Sequence, residues 1–354
     1  MRIAMIKQAL DVFGPWASME WDDSSPKKTF QIWPGKATLW EMTALLKADW
    51  YIIPAQVIGD YHLDLTEKNP QAREVLSKYV KVTLAPEQIP YHNYDIVITL
   101  DPILRNMPNL DTVFAYFLNE HWDVRYKRSL RRPSDHYDLF LAHMMDGPNE
   151  IVTLPQAVSF PYMRAPEIMR SIFNAPKEEV VWVDWRTLTT LAMTDLWSEA
   201  AEQAVQRLQN VLNMPIRHAG EFGRCGYGIS DPPRWGDAES YLDHLSRCKY
   251  YISVGQVPGA GQRLCDAASL GSICFGQQAN VYHRIVAHPD CLCADMVELP
   301  IKFRRVVASP DLQKEVLNWQ DRALKEHFVA RPLSILEQAL ELKRKRGNLA
   351  KVSY

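Results

Sequence analysis

The sequence lacks the features that mark several large classes of protein. No stretch approaches the roughly 20 consecutive apolar residues that a membrane-spanning helix needs, and the apolar run at the N-terminus is too short for a secretory signal. The 40 basic and 42 acidic residues nearly cancel, so there is no basic excess of the kind that nucleic-acid-binding domains carry. These absences predict a soluble, cytoplasmic protein that does not bind nucleic acid.

Motifs for metals and dinucleotides are also missing. The sequence contains no Asp-x-Asp and no Cys-x-x-Cys, and no Gly-x-Gly-x-x-Gly follows the opening apolar segment; the last absence disfavours an NAD-dependent dehydrogenase. All six cysteines lie in the second half of the chain: Cys225, Cys248, Cys265, Cys274, Cys291 and Cys293. We expect reduced structural thiols and no bound metal.

The patterns that are present predict an α/β fold. A chain of 354 residues with 47% hydrophobic content is long enough for two domains with separate cores. Short apolar segments alternate with amphipathic helical ones. The expected strands cover residues 2–7, 49–54, 80–84, 94–100, 112–118 and 137–142, then 179–183, 215–219, 249–254 and 272–275. Prolines at 155, 161, 166 and 176 separate the two series, which indicates two Rossmann-like domains joined by a proline-rich connection.

Residues 246–275 form the most informative segment. The pattern predicts a buried strand, a loop with Gly259 and Gly261, a helix that begins at Gln262, and a second buried strand. A helix N-terminus presents unpaired N–H groups and the positive end of its dipole, which favours an anion. Arg263 in the first turn could bind a phosphate through two hydrogen bonds, and Asp266 could accept hydrogen bonds from a ribose or sugar hydroxyl.

This segment resembles the donor-binding region of GT-B glycosyltransferases, in particular the exostosin-like and group 1-like pattern. The matching residues are Cys248-Lys249-Tyr250, Gly255, Arg263, Asp266-Ala267 and Gly271. The sequence departs from the pattern at Asp266, where the family usually has Glu, and at 272–274, where Ser-Ile-Cys replaces the common Pro-Val. The resemblance implies two Rossmann-like domains that face a cleft, with a C-terminal helix that crosses back to the first.

The domain boundaries follow from the same resemblance. Residues 1–160 are expected to form the acceptor domain and residues 161–310 the nucleotide-sugar donor domain. Residues 311–354 are expected to form terminal helices, of which the first, 311–327, packs on the N-terminal domain. A polar loop follows the opening strand and carries Gly14.

The activity that the resemblance implies is transfer of a sugar from a nucleoside diphosphate sugar to an acceptor hydroxyl, without a metal or a tightly bound cofactor. Arg186, Arg224 and Gly14 occupy positions where such enzymes contact the donor diphosphate. Glycoconjugate or surface-polysaccharide synthesis is the expected context. A nucleotide-sugar epimerase and a non-catalytic nucleotide-sugar-binding protein are the alternatives.

The catalytic base is less defined by the sequence. An inverting transferase needs a carboxylate or histidine to deprotonate the acceptor, whereas a retaining one does not, and both outcomes stay open. Candidates at strand ends or in the first loop are Asp11, Glu20, Asp22, Asp101, Glu120, His121 and His143. We take Asp22 and His143 as the first choices.

Two further features have alternative interpretations. Trp16 and Trp21 suit either an acceptor-stacking platform or core packing. The basic cluster 343–346 suits either a solvated tail or a peripheral contact with the inner, anionic face of a membrane.

Overall fold

The structure is a computed structural model of the chain, and it divides into two compact units. The described residues are 1–9, 17–20, 28–32, 41–42, 45–54, 61–64, 80–82, 86–99, 111–118, 137–142, 157–184, 187–188, 191, 199–218, 238–255 and 261–352. Residues 1–163 and 328–354 form the first unit, and residues 164–327 form the second. Both contain a parallel β-sheet, which confirms the predicted α/β fold class.

The first unit is built on a parallel sheet whose strand order reverses at its first strand. Its described strands are β1 (Ile3–Ala9), β2 (Ala17–Glu20), β3 (Lys28–Ile32), β4 (Asp49–Pro54), β5 (Tyr61–Asp64), β6 (Val80–Val82), β7 (Ile96–Thr99), β8 (Val113–Leu118), β9 (Leu139–Ala142) and β10 (Ala157–Ser159). Seven of these described strands form a parallel sheet in the order β6-β4-β1-β7-β8-β9-β10. This is the 3-2-1-4-5-6 order of nucleotide-binding folds with one more strand at the edge.

Runs of consecutive apolar residues explain why these segments form strands. Every residue of β7 is buried, and so are residues 3–6 of β1 and residues 113–117 of β8. A strand with both faces buried belongs in a parallel sheet that is covered on both sides.

A small second sheet is formed by β2 and β3, which follow β1, and by β5, which follows β4. Strands β2 and β3 pair antiparallel, and β3 pairs parallel with β5. The sequence predicts a polar loop after β1, and the structure corrects that prediction because β2 and β3 lie there. The strands are only four or five residues long, too short for their pattern to stand out from the lysines and prolines around them.

The second unit has its own parallel sheet and most of the described helices. Its strands are β11 (Glu178–Val183), β12 (Ile216–His218), β13 (Cys248–Ser253), β14 (Ile273–Gln277) and β15 (Leu292–Cys293). Its helices are α1 (Pro166–Ile172), α2 (Glu199–Leu212), α3 (Ala238–Arg247), α4 (Gln262–Ser269), α5 (Val281–Val286), α6 (Glu298–Val307) and α7 (Pro310–Lys325). The described strands are ordered β12-β11-β13-β14-β15, so the winding reverses between β11 and β13.

The proline-rich passage is more structured than the sequence predicts. It contains β10, which pairs with β9, and helix α1, which begins at Pro166. Proline suits the first turn of a helix because its missing N–H would have no partner there. The boundary between the units falls at Met163 and Arg164.

The two terminal helices are divided between the units. Helix α7 groups with the second unit, and α8 (Arg331–Val352) groups with the first. The packing of the first of these helices on the N-terminal domain stays a prediction. Gln320 attaches α7 to the sheet of the second unit, because its side-chain amide bonds to the backbone of Ser272 and Cys274 at the start of β14.

Helix α8 is tied to the first unit by its basic residues. The ammonium of Lys343 bonds both carboxylate oxygens of Asp138, at 2.7 and 2.8 Å, and Arg344 bonds Asp95 at 3.0 Å. Lys345 lies 3.9 Å from a carboxylate oxygen of Glu341 on the same helix, so three of the four residues in the basic cluster are engaged in ion pairs. Within the described residues, no helix is both long and apolar enough to cross a bilayer.

The described cysteines are buried thiols. Cys248, Cys265, Cys274, Cys291 and Cys293 are all buried, and these five form no disulfide. Burial raises the pKa of the Cys248 thiol to about 11 and that of Cys293 to about 12. Protonated, inaccessible thiols of this kind are unreactive, in line with the predicted structural role; Cys225 lies outside the described residues.

Candidate functional site

The carboxyl ends of β11 and β13 define the candidate site in the second unit. Ligands of open parallel sheets bind beyond the carboxyl ends of the strands, where the strand order reverses. In this unit that point lies between β11, which ends at Val183, and β13, which ends at Ser253. The residues that follow these two strands are therefore the first to consider.

A buried carboxylate occupies this point. Asp184 follows β11 directly and is 3% exposed. Its Oδ2 accepts hydrogen bonds from the hydroxyls of Tyr251, at 3.2 Å, and Ser253, at 3.1 Å. Its Oδ1 pairs with Nη1 of Arg263 at 3.3 Å. Burial of a charge is costly unless it is paired and hydrogen-bonded, and these three donors meet that requirement.

Arg263 is held by this carboxylate without being enclosed. Its side chain is 27% exposed, whereas that of Asp184 is 3% exposed. The guanidinium has five N–H donors in a planar fork, and the bond to Asp184 fixes its orientation. Arg263 lies in the first turn of α4, so a fixed cation stands at the positive end of the helix dipole.

Gly261 forms the N-cap of α4. Its backbone is left-handed, with φ of 71° and ψ of 12°, a conformation that favours glycine. A Cβ at this residue would lie 2.7 Å from Oδ1 of Asn280 and 2.8 Å from Cδ2 of His283. Both backbone conformation and space therefore require glycine where the loop enters the helix.

His283 is the neighbour that fills the space beside Gly261. It lies on the short helix α5 and is 4% exposed. Its Nδ1 accepts a hydrogen bond from the backbone N–H of Gln277 at 2.9 Å. Gly276 allows this approach, because a Cβ there would lie 2.8 Å from Cβ of His283.

Gln277 also fixes the start of the glycine-bearing loop. Its side-chain Oε1 accepts a hydrogen bond from the backbone N–H of Gly255 at 3.0 Å. Next to it, Oγ1 of Thr187 accepts from the backbone N–H of Val254 at 2.9 Å. The end of β13 is thus held from both sides by polar side chains.

Asp266 is engaged in a buried ion pair. Its Oδ1 lies 2.6 Å from Nη1 of Arg164, and the two side chains are 8% and 1% exposed. Arg170, on α1, donates to the carbonyl of Ser269 at the C-terminal end of α4. These contacts attach α4 to the segment that opens the second unit. The role of Asp266 as an acceptor for a donor hydroxyl stays a prediction.

The structure brings three of the predicted site residues together at one helix. Gly261, Arg263 and Asp266 lie at the start and along the length of α4. The remaining six lie outside the described residues: Gly14, Asp22, His143, Arg186, Arg224 and Gly259. Within the described part of the chain, no group of three or more His, Cys, Asp or Glu side chains is placed to hold a metal ion.

Sequence reasoning missed several residues of this site. Asp184 directly follows the predicted strand 179–183 but is not predicted as a site residue, and its pairing with Arg263 joins residues 79 apart in the chain. Arg164 and Asp266 are 102 residues apart. His283 lies on a helix of six residues, which is too short to produce a periodic signal. The proximity of the carboxyl ends of neighbouring strands could have pointed to Asp184.

Comparison with solved structures finds the same fold elsewhere. HepE of Anabaena in complex with UDP and glucose covers 98% of this chain and 100% of its own, with 11% identity and a TM-score of 0.51. An α-glucosyltransferase in complex with UDP and a mismatched 13-mer DNA covers 95% and 100%, with 9% identity and a TM-score of 0.52. No family model and no curated protein sequence matches the chain. At these identities the likeness shows the fold, which is the predicted GT-B fold of glycosyltransferases.

Proposed function

We propose that the chain is a GT-B glycosyltransferase that moves a sugar from a nucleoside diphosphate sugar to an acceptor hydroxyl. The observation that carries the proposal is the joint at the start of α4. There, Gly261 brings the backbone to the helix N-terminus at the carboxyl edge of the sheet, and buried Asp184 fixes Arg263 in the first turn. Backbone N–H groups, a helix dipole and a fixed guanidinium together suit a diphosphate.

The same arrangement suits the chemistry of transfer. When the bond between the sugar and the diphosphate breaks, negative charge develops on the leaving phosphate oxygen. Preorganised donors at that oxygen stabilise the charge without reorganisation. Arg263 and the first N–H groups of α4 would supply this stabilisation, and Arg186, Arg224 and Gly259 are proposed to complete the diphosphate site.

The donor proposed first is a uridine diphosphate sugar. HepE of Anabaena and the α-glucosyltransferase, which share the fold, both hold UDP in their solved structures. The first unit is proposed to bind the acceptor, with Asp22 and His143 as candidates for the base. We further propose that the enzyme acts without a metal or a tightly bound cofactor, in the cytoplasm.

A peripheral contact at the inner membrane face is also proposed, and it depends on the basic cluster 343–346 alone. Lys343 and Arg344 already pair with carboxylates of the first unit. A contact with anionic lipid would have to replace those ion pairs or rely on the other basic residues of the cluster. Glycoconjugate or surface-polysaccharide synthesis remains the proposed context.

A turnover assay tests the proposal. Purified protein is incubated with UDP-sugars, with and without saccharide acceptors, and the UDP released and the sugar products are measured. We expect UDP release that depends on the acceptor. Conversion of the sugar without UDP release would indicate the epimerase, and binding without turnover would indicate a binding protein.

A matched pair of variants connects the activity to the site. Arg263→Ala removes the fixed guanidinium, whereas Arg305→Ala removes a guanidinium on α6 that forms an exposed ion pair with Asp290. We expect transfer to fall strongly in the first variant and to be unchanged in the second. Equal activity in both would remove Arg263 from the donor site.

A further inference from the structure

The hydrogen bond at Nδ1 fixes the tautomer of His283. A backbone N–H always carries its proton, so the Nδ1 that accepts from Gln277 must present a lone pair. The ring proton of the neutral imidazole therefore lies on Nε2. The backbone N–H of His283 donates to Oδ1 of Asn280 at 3.2 Å, so the backbone is held by one hydrogen bond and the ring by another.

The protonated edge of this ring faces the N-cap of α4. Nε2 lies 3.0 Å from the position that a Cβ on Gly261 would occupy. Gly261 and Gly276 both lack the side chain that would collide with His283. Two glycines thus leave room for one imidazole, and that imidazole brings an N–H donor to the end of the helix where Arg263 lies.

We propose that His283 is a donor-binding residue whose Nε2–H donates a hydrogen bond to the diphosphate of the nucleotide. The inference rests on the proposed function and adds a binding residue to the same site. A neutral donor complements Arg263, because it adds a directed hydrogen bond to the phosphate without adding a second positive charge. The backbone bond at Nδ1 keeps the donor on Nε2.

His288 offers a matched control in the same unit. It is also buried, at 7% exposure, and its Nδ1 accepts the backbone N–H of Asp290 at 3.2 Å. Its ring, however, contacts Trp319, and its Nε2 faces Glu315. A change at His288 removes a comparable buried ring that faces other partners.

Two substitutions separate the roles of the two ring nitrogens. In His283→Asn, the amide oxygen can take the place of Nδ1 and accept the N–H of Gln277, while the donor at Nε2 is lost. In His283→Gln, the amide nitrogen can take the place of Nε2, while the acceptor at Nδ1 is lost. If His283 only packs or caps, the Asn variant should keep both UDP affinity and thermal stability better than the Gln variant does.

Calorimetric titration with UDP, together with thermal unfolding, tests the inference. We expect His283→Asn to weaken UDP binding by about 10- to 100-fold, the loss of one hydrogen bond to a charged group, with a melting temperature close to that of the wild type. His283→Gln should bind UDP within about fivefold of the wild type but melt lower. His288→Asn should bind UDP as the wild type does.

Each other outcome overturns a defined part of the account. UDP binding by folded His283→Asn that equals that of His288→Asn overturns the role of His283 alone. If His283→Asn does not fold, His283→Gln decides: binding close to the wild type supports the role, and a loss of about tenfold or more in folded protein overturns it. Failure of the wild type to bind UDP overturns this inference and the proposed uridine donor together.

Discussion

Two arginine–aspartate ion pairs involve helix α4, and they differ in how far the arginine is shielded from water. Arg164, paired with Asp266, is 1% exposed, whereas Arg263, paired with Asp184, is 27% exposed. Both carboxylates are buried. The first pair is enclosed on both sides and suits an internal strut, while the second fixes a cation that can still reach a ligand. The exposure of the arginine therefore distinguishes the structural ion pair from the one that is expected to bind a ligand.

The largest effect is expected when the enclosed pair is broken. Arg164→Leu would leave the carboxylate of Asp266 buried without its cation, so the free energy of unfolding should fall by about 3–5 kcal/mol. Urea denaturation measures the loss. The double change Arg164→Leu with Asp266→Leu should recover much of it, because the buried carboxylate is removed together with its cation. A loss below about 1 kcal/mol in the single variant would contradict the strut role.

A comparison of two glycines sharpens the geometry of the α4 N-cap. Gly261 and Gly271 both have positive φ, 71° and 80°, but a Cβ on Gly271 would meet its nearest atom only at 3.8 Å. Gly271→Ala should cost about 1 kcal/mol of unfolding free energy from backbone strain alone. Gly261→Ala should cost about 2–4 kcal/mol, because strain and steric overlap add. Equal melting temperatures of the two variants would show that Asn280 and His283 can move to make room for a Cβ at Gly261.

Breaking the exposed pair should have a small effect on the unfolding free energy and a large effect on UDP affinity. In Arg263→Ala, Asp184 keeps its bonds from Tyr251 and Ser253, so the unfolding free energy should fall by only about 1 kcal/mol. UDP affinity should fall by about 10- to 100-fold. Denaturation and titration of the same preparation check both values. A stability loss as large as that of Arg164→Leu would erase the contrast between the pairs.

The smallest combined effect on stability and UDP binding is expected at a third pair. Arg170 and Asp321 are 39% and 29% exposed, and solvent-exposed ion pairs contribute about 0–1 kcal/mol. Arg170→Ala should therefore lower the unfolding free energy by less than about 1.5 kcal/mol even with the lost bond to Ser269, and UDP binding should not change. Weaker UDP binding by Arg170→Ala would show that contacts made by α1 help to position the UDP site at the start of α4.

Much of the architecture follows from local pattern. The strand predicted at 49–54 has those bounds in the structure, because an aromatic and β-branched run ends at a proline. The helix that begins at Gln262 is also found, because glycines precede it and an apolar face follows. Strands β2 and β3 were missed, since their short alternation is weak against the polar residues around them.

The site itself was only partly predictable. The position of Arg263 in a first helical turn follows from the sequence around it, but its partner Asp184 depends on the order of strands in the sheet. The tautomer of His283 depends on a backbone N–H six residues earlier, at the end of β14, which no spacing rule identifies. Local pattern predicts elements and their ends, whereas the pairing of side chains requires the packed sheet.

A thermal unfolding measurement with UDP tests the central claim most directly. At a UDP concentration about 100 times its dissociation constant, binding to the folded state should stabilise the protein by about 2.7 kcal/mol. We expect a clear rise in the melting temperature of the wild type and of Arg305→Ala, and a smaller rise for Arg263→Ala, whose binding, weaker by about 10- to 100-fold, would leave about 0.4–1.4 kcal/mol of stabilisation at the same UDP concentration. No shift of the folded wild type with UDP, GDP, ADP, CMP or dTDP would contradict a nucleotide site at the start of α4.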